Sequence, residues 1–347
     1  MAHGHDKAEF HPEKDERMNT ARLFGKLAGT LATVASLIAF FHIDAACAAD
    51  PSLITPDTTV VLDVPTGIAA NACAVPSSTT APVQLQRSFH DPFDTLVLDG
   101  TGWLPHYDGG YDPVGRRWLG YEWMAKRTLL GNREMELYVD EGYKGRASTP
   151  MRKNPFVIKD GVLRIVAEPT PPEIQSAAYD YPYVSGMLQS RGMFSQQYGY
   201  FEVKAKVPAG RGLWPAFWLL PTDRSWPPEL DIIETRGYEP TLALGAIHWT
   251  NTDGTTSRSG CRTNTPTANS EFHVYGALIT PQKITWFIDR VAVGEIATPP
   301  GFDKTFYMVL NLAVGGSWPG TPDADTVFPA SFEIDWVSVY AWNNSVQ

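Results

Sequence analysis

From Phe89 to the C-terminus, apolar and polar residues alternate in short runs punctuated by glycine and proline, with almost no three-and-four helical spacing. That punctuation predicts antiparallel strands. Phe156-Val157-Ile158 and Val162 to Val166 flank Lys159-Asp160-Gly161, whose Asp-Gly predicts a tight hairpin. Tyr200 to Val207 alternates strictly: Phe201, Val203, Ala205 and Val207 point to a core, and Tyr200, Glu202, Lys204 and Lys206 point to water. Ile284 to Ile288 and Val291 to Val293 bracket an Asp289-Arg290 turn, and the last strand runs from Phe332 to Tyr340. Short strands repeated through one continuous stretch predict an all-β fold of two packed antiparallel sheets. No internal repeat is visible, and no glycine-rich phosphate loop precedes a helix.

The pattern changes upstream. Leu27 to Phe41 is an apolar run preceded by Arg22 and Lys26 and followed by Ala45-Ala46-Cys47-Ala48-Ala49. This is the layout of a secretory signal peptide, too short for a membrane span, with cleavage expected after Ala48 or Ala49. Met18 serves as the start, which makes 1–17 an upstream extension without structure and 18–49 the signal peptide. Asp44 sits where a lipoprotein site wants an aliphatic residue, which argues against lipidation of Cys47. Residues 50–88, rich in Pro, Thr, Ser and Ala, read as an extended segment able to add an edge strand, and 89–347 as the domain proper. The mature form is expected to be secreted or periplasmic, not bound to a membrane, and monomeric. Two cysteines remain there, Cys73 and Cys261, and an oxidising compartment would allow them to pair.

Composition narrows the partners. The net charge is −10 with no basic run, which excludes nucleic acid and anionic membrane as natural partners. The 11 Trp, 14 Tyr and 16 Phe exceed what a core of this size needs and supply rings for stacking. A neutral, ring-shaped substrate suits both features.

The chemistry concentrates in Glu229-Leu230-Asp231-Ile232-Ile233-Glu234, three carboxylates in an apolar, β-branched stretch. On a regular strand Glu229 and Asp231 share a face and Glu234 lies on the other. A β-bulge at Ile232-Ile233 would reset the parity and return Glu234 to that face. Without the bulge, Glu234 cannot act together with Glu229. Three such groups together cannot all ionise cheaply, so one should keep a proton near neutral pH, as a general acid requires. The hexapeptide by itself fits equally well with solvated acids on an exposed face or with a calcium cage. Trp214 and Trp218 before it and His248-Trp249 after it favour a sugar cleft, because sugars stack C–H faces on indoles and offer hydroxyls to polar groups.

Further motifs stand in order along the chain: Gly131-Asn132-Arg133-Glu134, Ser190-Arg191-Gly192, Tyr198 to Glu202, Gly212 to Trp218, Glu229 to Glu234, Glu271 to Tyr275, Asn311 to Gly316 and Trp318-Pro319-Gly320. Together they resemble glycoside hydrolase family 16, in the branch whose motif is Glu-x-Asp-x-x-Glu with a bulge, from about Phe89 to Trp342. The resemblance implies a concanavalin A-like β-jelly-roll sandwich with a concave substrate cleft. It implies Glu229 as nucleophile, Asp231 as the assisting acid and Glu234 as acid/base. It places Trp214, Trp218 and Trp226 along the cleft, with hydrophobic core as the duller alternative for Trp218 and Trp226; the proline after Trp214 suggests a strand end there. Asn132 and Arg191 would bind sugar hydroxyls or hold the nucleophile, although Arg191 could serve only a surface ion pair. His248, Asn311 and Trp318 complete the cleft, His248 being equally readable as a satisfied core histidine. No cofactor is needed for the chemistry; a structural calcium held by Asp335 and the carbonyl of Gly161 is the one metal implied.

The loops at 108–127 and 251–267 depart from the common laminarinase pattern, and Trp226-Pro227-Pro228 is closer to bacterial exopolysaccharide glycanases. The resulting expectation is a secreted, retaining endo-β-glucanase that cleaves internal β-1,3 or β-1,4 linkages of a β-1,3/1,4-glucan or a bacterial exopolysaccharide. A transglycosylase on the same glycans and a non-catalytic glycan-binding protein are the rival readings.

Overall fold

A computed structural model describes residues 57–67, 79–98, 100–107, 111–112, 117–118 and 127–342, all within one unit spanning 46–347. The upstream extension, the apolar leader and Cys73 lie outside the described residues; Cys261 is one half of a disulfide. The described strands are β1 (Thr59–Pro65), β2 (Thr80–Asp91), β3 (Tyr111–Asp112), β4 (Arg117–Trp118), β5 (Glu136–Tyr138), β6 (Phe156–Lys159) and β7 (Val162–Pro169). They continue with β8 (Tyr183–Ser185), β9 (Met187–Gln189), β10 (Gly199–Lys206), β11 (Leu213–Pro221), β12 (Glu229–Glu234) and β13 (Leu242–Thr250). The last six are β14 (Thr256–Asn264), β15 (His273–Ile279), β16 (Lys283–Ile288), β17 (Val291–Ala297), β18 (Phe306–Val314) and β19 (Ala330–Ala341).

Two large sheets form a sandwich. One follows the order β17-β16-β15-β10-β19-β7-β8-β5 with β1, β2 and β6 added at its margins, and the other runs β14-β13-β12-β11-β18-β9. All pairings are antiparallel except β5 with β8. The hairpins fall where the turn residues put them. Asp160 and Gly161 both take positive φ, 55° and 73°, and join β6 to β7; Asp289 and Arg290, at 50° and 62°, join β16 to β17. Neither turn residue of the second pair is glycine, and Asp289 is held in compensation: its carboxylate accepts the Val274 N–H at 2.9 Å and faces His273 Nδ1 at 2.7 Å.

Alternate residues of the two sheets interdigitate in one continuous core. Phe201, Val203, Ile334 and Val337 come from the larger sheet, and Phe217, Leu230, Ile247 and Leu310 from the smaller. This alternation is what buried strand faces require.

The opposite face of β10 differs from the expected wet surface. Tyr200 and Glu202 are fully buried there. The reason is the β1–β2 hairpin: β2 pairs with β19, and Val60, Leu62, Val64 and Leu85 pack with Tyr200, Leu278, Phe287 and Tyr340 into a second cluster. Arg290 answers the buried Glu202 with two bonds, Nε at 3.1 Å and Nη2 at 2.8 Å. Lys283 ties the end of β1 down, its Nζ donating to the Gly67 carbonyl at 2.8 Å, to the Pro65 carbonyl, and to Glu295 at 2.9 Å. The smaller sheet is left with its outer face available, and that face carries the carboxylates.

Candidate active site

The pairing of β12 breaks where the two isoleucines stand. On one side Phe217 pairs with Ile233 and Trp218 with Asp231, so Ile232 has no partner. On the other, Asp231 pairs with Ala246 and Glu234 with Leu244, so Ile232 and Ile233 together face Gly245. This is the bulge on which the sequence reading depended. Both isoleucines pack into the core, at 5% and 1% exposure, and the three acids share the outer face. A bulge strands backbone groups that a regular ladder would pair. Here the Asp231 carbonyl is satisfied from across the sandwich by Trp286 Nε1 at 2.9 Å. The close approach requires glycine at 245, since a β-carbon there would come within 2.5 Å of Trp286 Cδ1.

Each outer carboxylate takes an indole N–H. Trp226 Nε1 donates to Glu229 Oε2 at 2.7 Å, and Trp214 Nε1 donates to Glu234 Oε1 at 2.8 Å. His248, directly across from Glu229 in the pairing of β12 with β13, brings Nε2 to 3.8 Å from both Glu229 Oε1 and Asp231 Oδ2. Burial pushes the Glu229 carboxyl up to about 7, with the Trp226 bond opposing. Burial raises Glu234 to about 8, helped by the charges of Glu229 and Glu134 and opposed by Trp214. Asp231 lies well above the usual carboxylate range, first through burial and then through the charges of Glu234 and Glu229. Burial lowers His248, and Arg258 lowers it further, so the ring is neutral at neutral pH. Two groups poised near neutrality, each steadied by a donor, can hand a proton back and forth with a substrate.

The aromatic residues divide into wall and floor. Trp226 is 62% exposed and sits 6.2 Å, ring to ring, from His248. Trp214 and Trp318 are half-buried, 5.2 Å apart, with the Arg236 guanidinium over Trp318. The turn at Leu130–Asn132 is tied to the Trp318 segment, Ser317 N–H donating to the Asn132 carbonyl at 2.8 Å, while the Asn132 side chain donates to Glu134 at 2.9 Å.

Three expected cleft residues have polar atoms engaged within the protein. Trp218, only 8% exposed, lies in the floor with Tyr107, Tyr138, Met187 and Tyr307, because its Nε1 is anchored to Asn311 Oδ1 at 2.7 Å. Asn311 is 5% exposed and also donates to the Tyr138 hydroxyl at 3.1 Å, so its amide aligns the floor instead of facing the cleft. Arg191 donates to the Thr222 carbonyl at 2.9 Å, and the hydrogen bond that Glu229 receives comes from Trp226.

Sequence reasoning missed the second acid pair behind Glu234. Glu134 and Glu136 are buried and hydrogen-bonded to each other, and burial raises both; the charge of Glu134 raises Glu136 further. Glu136 Oε2 accepts the Val314 N–H at 2.7 Å, and Glu134 accepts the Leu129 N–H at 3.1 Å. The Glu-x-Glu spacing at the start of β5 was the available signal. The implied calcium donors are a poor match for a divalent cation: Lys204 Nζ stands 3.0 Å from Asp335 Oδ2, so the single carboxylate of the set is already answered by an ammonium.

Residues 123–338 match the family model described as glycosyl hydrolases family 16. The endo-1,3-1,4-beta-glycanase EglC of Rhizobium meliloti (strain 1021) is 40% identical over 260 residues, covering 74% of this chain and 52% of EglC. The chain thus spans about half the length of that relative. The beta-glucanase of Rhodothermus marinus is 33% identical over 266 residues, 69% of this chain and 84% of the relative. Among solved structures, the endo-beta-1,3-glucanase of Pyrococcus furiosus superposes with a TM-score of 0.56 at 30% identity, over 75% of this chain and 95% of that one. The laminarinase of Rhodothermus marinus gives 0.57 at 30% identity, over 75% and 98%. The sandwich is therefore a jelly roll of the laminarinase kind, the bulged carboxylate strand lies inside the matched region, and the chain belongs to glycosyl hydrolase family 16.

Proposed function

We propose that this protein is a retaining endo-β-glucanase acting on internal β-1,3 or β-1,4 linkages of a β-1,3/1,4-glucan or a bacterial exopolysaccharide. The observation that carries this reading is the bulged strand, which gathers three acids on one open sheet face with an indole N–H on each outer carboxylate. In a double displacement Glu229 attacks the anomeric carbon while Glu234 protonates the leaving oxygen, and Glu234 then takes a proton from the water that releases the sugar. Asp231, between them, orients Glu229 and keeps the cluster's charge low. Trp226, Trp214 and Trp318 offer the ring faces on which sugar units stack. The relatives named endo-1,3-1,4-beta-glycanase and beta-glucanase support this substrate class. The protein acts outside the cytoplasm as a monomer, led there by the segment at 18–49.

The test is a panel of laminarin, lichenan and a succinoglycan-type polymer, followed by reducing-end release, product linkage analysis and the anomeric configuration by NMR. Internal cleavage with retention is expected, and Glu229→Gln should lower kcat by about 10⁴-fold or more with the circular dichroism unchanged. Products longer than the starting oligomers would identify a transglycosylase. Binding with no bond cleaved across the panel would make it a glycan-binding protein.

A further inference from the structure

Among the described residues, one cluster of ligand-type side chains on the open face brings an imidazole beside two of the proposed catalytic acids, a contact the double displacement does not use. Glu229, Asp231 and His248 each present a donor atom, and the three atoms lie within 4.8 Å of one another. The cluster is set by backbone pairing: Glu229 stands across from His248 and Asp231 across from Ala246, which places the imidazole beside both acids. His248 Nε2 is 3.8 Å from Glu229 Oε1 and 3.8 Å from Asp231 Oδ2. Asp231 is 3% exposed, and its carboxylate takes a hydrogen bond from none of the described residues. A carboxylate enclosed in this way and aimed at an imidazole lacks a positive or donating partner. Glu229 has one oxygen committed to Trp226 and turns the other, Oε1, toward the same point.

We propose that His248, Glu229 and Asp231 bind one divalent transition-metal ion, Zn²⁺ as the type case, and that the bound ion blocks the cleft. Zinc takes nitrogen and oxygen ligands at about 2.0–2.2 Å, so tetrahedral donors stand about 3.4 Å apart. The two 3.8 Å separations reach that by side-chain rotations of a few tenths of an ångström. One imidazole with two carboxylates favours Zn²⁺ or Cu²⁺ over Ca²⁺ and Mg²⁺, which prefer more oxygen donors. Glu229 and His248, partly exposed, leave the fourth position open to the cleft. The ion neutralises the repulsion between the acids and occupies Glu229 Oε1, so metal and glycan compete. Binding itself does not depend on the glycosidase reading; the inhibition does.

Calorimetric titration of the full chain with ZnCl₂ at pH 7 tests the binding without any turnover. The expected result includes a site of micromolar affinity that weakens at least tenfold in both His248→Ala and Asp231→Asn, each checked for an unchanged melting curve. Crystals soaked in ZnCl₂ should give an anomalous peak bonded to His248 Nε2 and to an oxygen of each acid. In the polysaccharide assay, Zn²⁺ should raise KM for the glycan, and half-inhibition in His248→Ala, relative to its own metal-free rate, should need at least tenfold more metal. Titrations superimposable for all three chains, or an anomalous peak only at other histidines, would overturn the proposal. Zinc bound at the cluster with no bond cleaved in any polysaccharide would leave the metal site standing and remove the hydrolase instead.

Discussion

At the scale of single residues, the protonation of Glu229 and Glu234 sets both activity and stability. On the proposed mechanism, the reactive form has Glu229 ionised and Glu234 protonated, and their values of about 7 and about 8 leave a narrow bell in kcat/KM. Glu134 raises Glu234 by its charge, so Glu134→Gln should move the basic limb of that bell to lower pH while leaving the acidic limb in place; a pH profile of kcat/KM reads this directly. Stability follows from the same shift. Glu234 titrates at about 8 in the fold against 4.5 when free, so between those values the folded protein binds more protons and loses stability as pH rises. Glu234→Gln should match the parent's Tm near pH 4.5 and exceed it by a few degrees at pH 8, measured by differential scanning calorimetry. These residues were legible in the sequence because tryptophans and a histidine flank three acids in an apolar run. The bond between Trp218 and Asn311 was not legible, for the opposite reason. Residue type shows that an indole and an amide want polar partners, but not that they find each other at 2.7 Å in the floor.

At the scale of elements, the bulge in β12 depends on a neighbour in the other sheet. Trp286→Phe keeps the ring but removes the N–H, leaving the Asp231 carbonyl buried without a partner at a cost of about 1–3 kcal/mol. Thermal melts should show that loss, and kcat/KM should fall at least about tenfold because Asp231 and Glu234 are no longer held in place. Gly245→Ala, which forces Trp286 aside, should cost more on both counts. The bulge also makes a deletion interpretable. Glu234 already pairs two residues along from Asp231 on the β13 side, so removing Ile233 should give a regular strand with the acid still opposite Leu244. A folded deletion variant with a changed product pattern is expected, whereas deletion of Leu230 should abolish folding. That Glu234 could join Glu229 only across a bulge was readable from spacing, since strand parity is fixed at two. Its support by Trp286 was not, because 55 residues separate the donor from the carbonyl it serves.

At the scale of the whole molecule, the sandwich was legible from alternation and turns, and the covered face of β10 was not. Tyr200, Glu202 and Lys204 alternate as a solvated strand would, and only the return of β1 and β2 over them makes the first two interior. The Lys283–Glu295 pair under that hairpin gives a measurable handle. Lys283→Ala strands a carboxylate that is 1% exposed and frees the carbonyls of Pro65 and Gly67, which should cost about 3–5 kcal/mol in chemical denaturation. The placement of β19 carries a consequence for the order of assembly. It lies between β10 on one side and β2 and β7 on the other, and the Ser88 hydroxyl bonds the Val339 carbonyl across 251 positions of chain. β2, β7 and β10 each have an earlier partner, but only β19 joins them into one sheet, and folding with contacts this distant is slow. A chain stopped before Ala330 should remain protease-sensitive throughout, and one extended past Ala341 should become resistant in a single step.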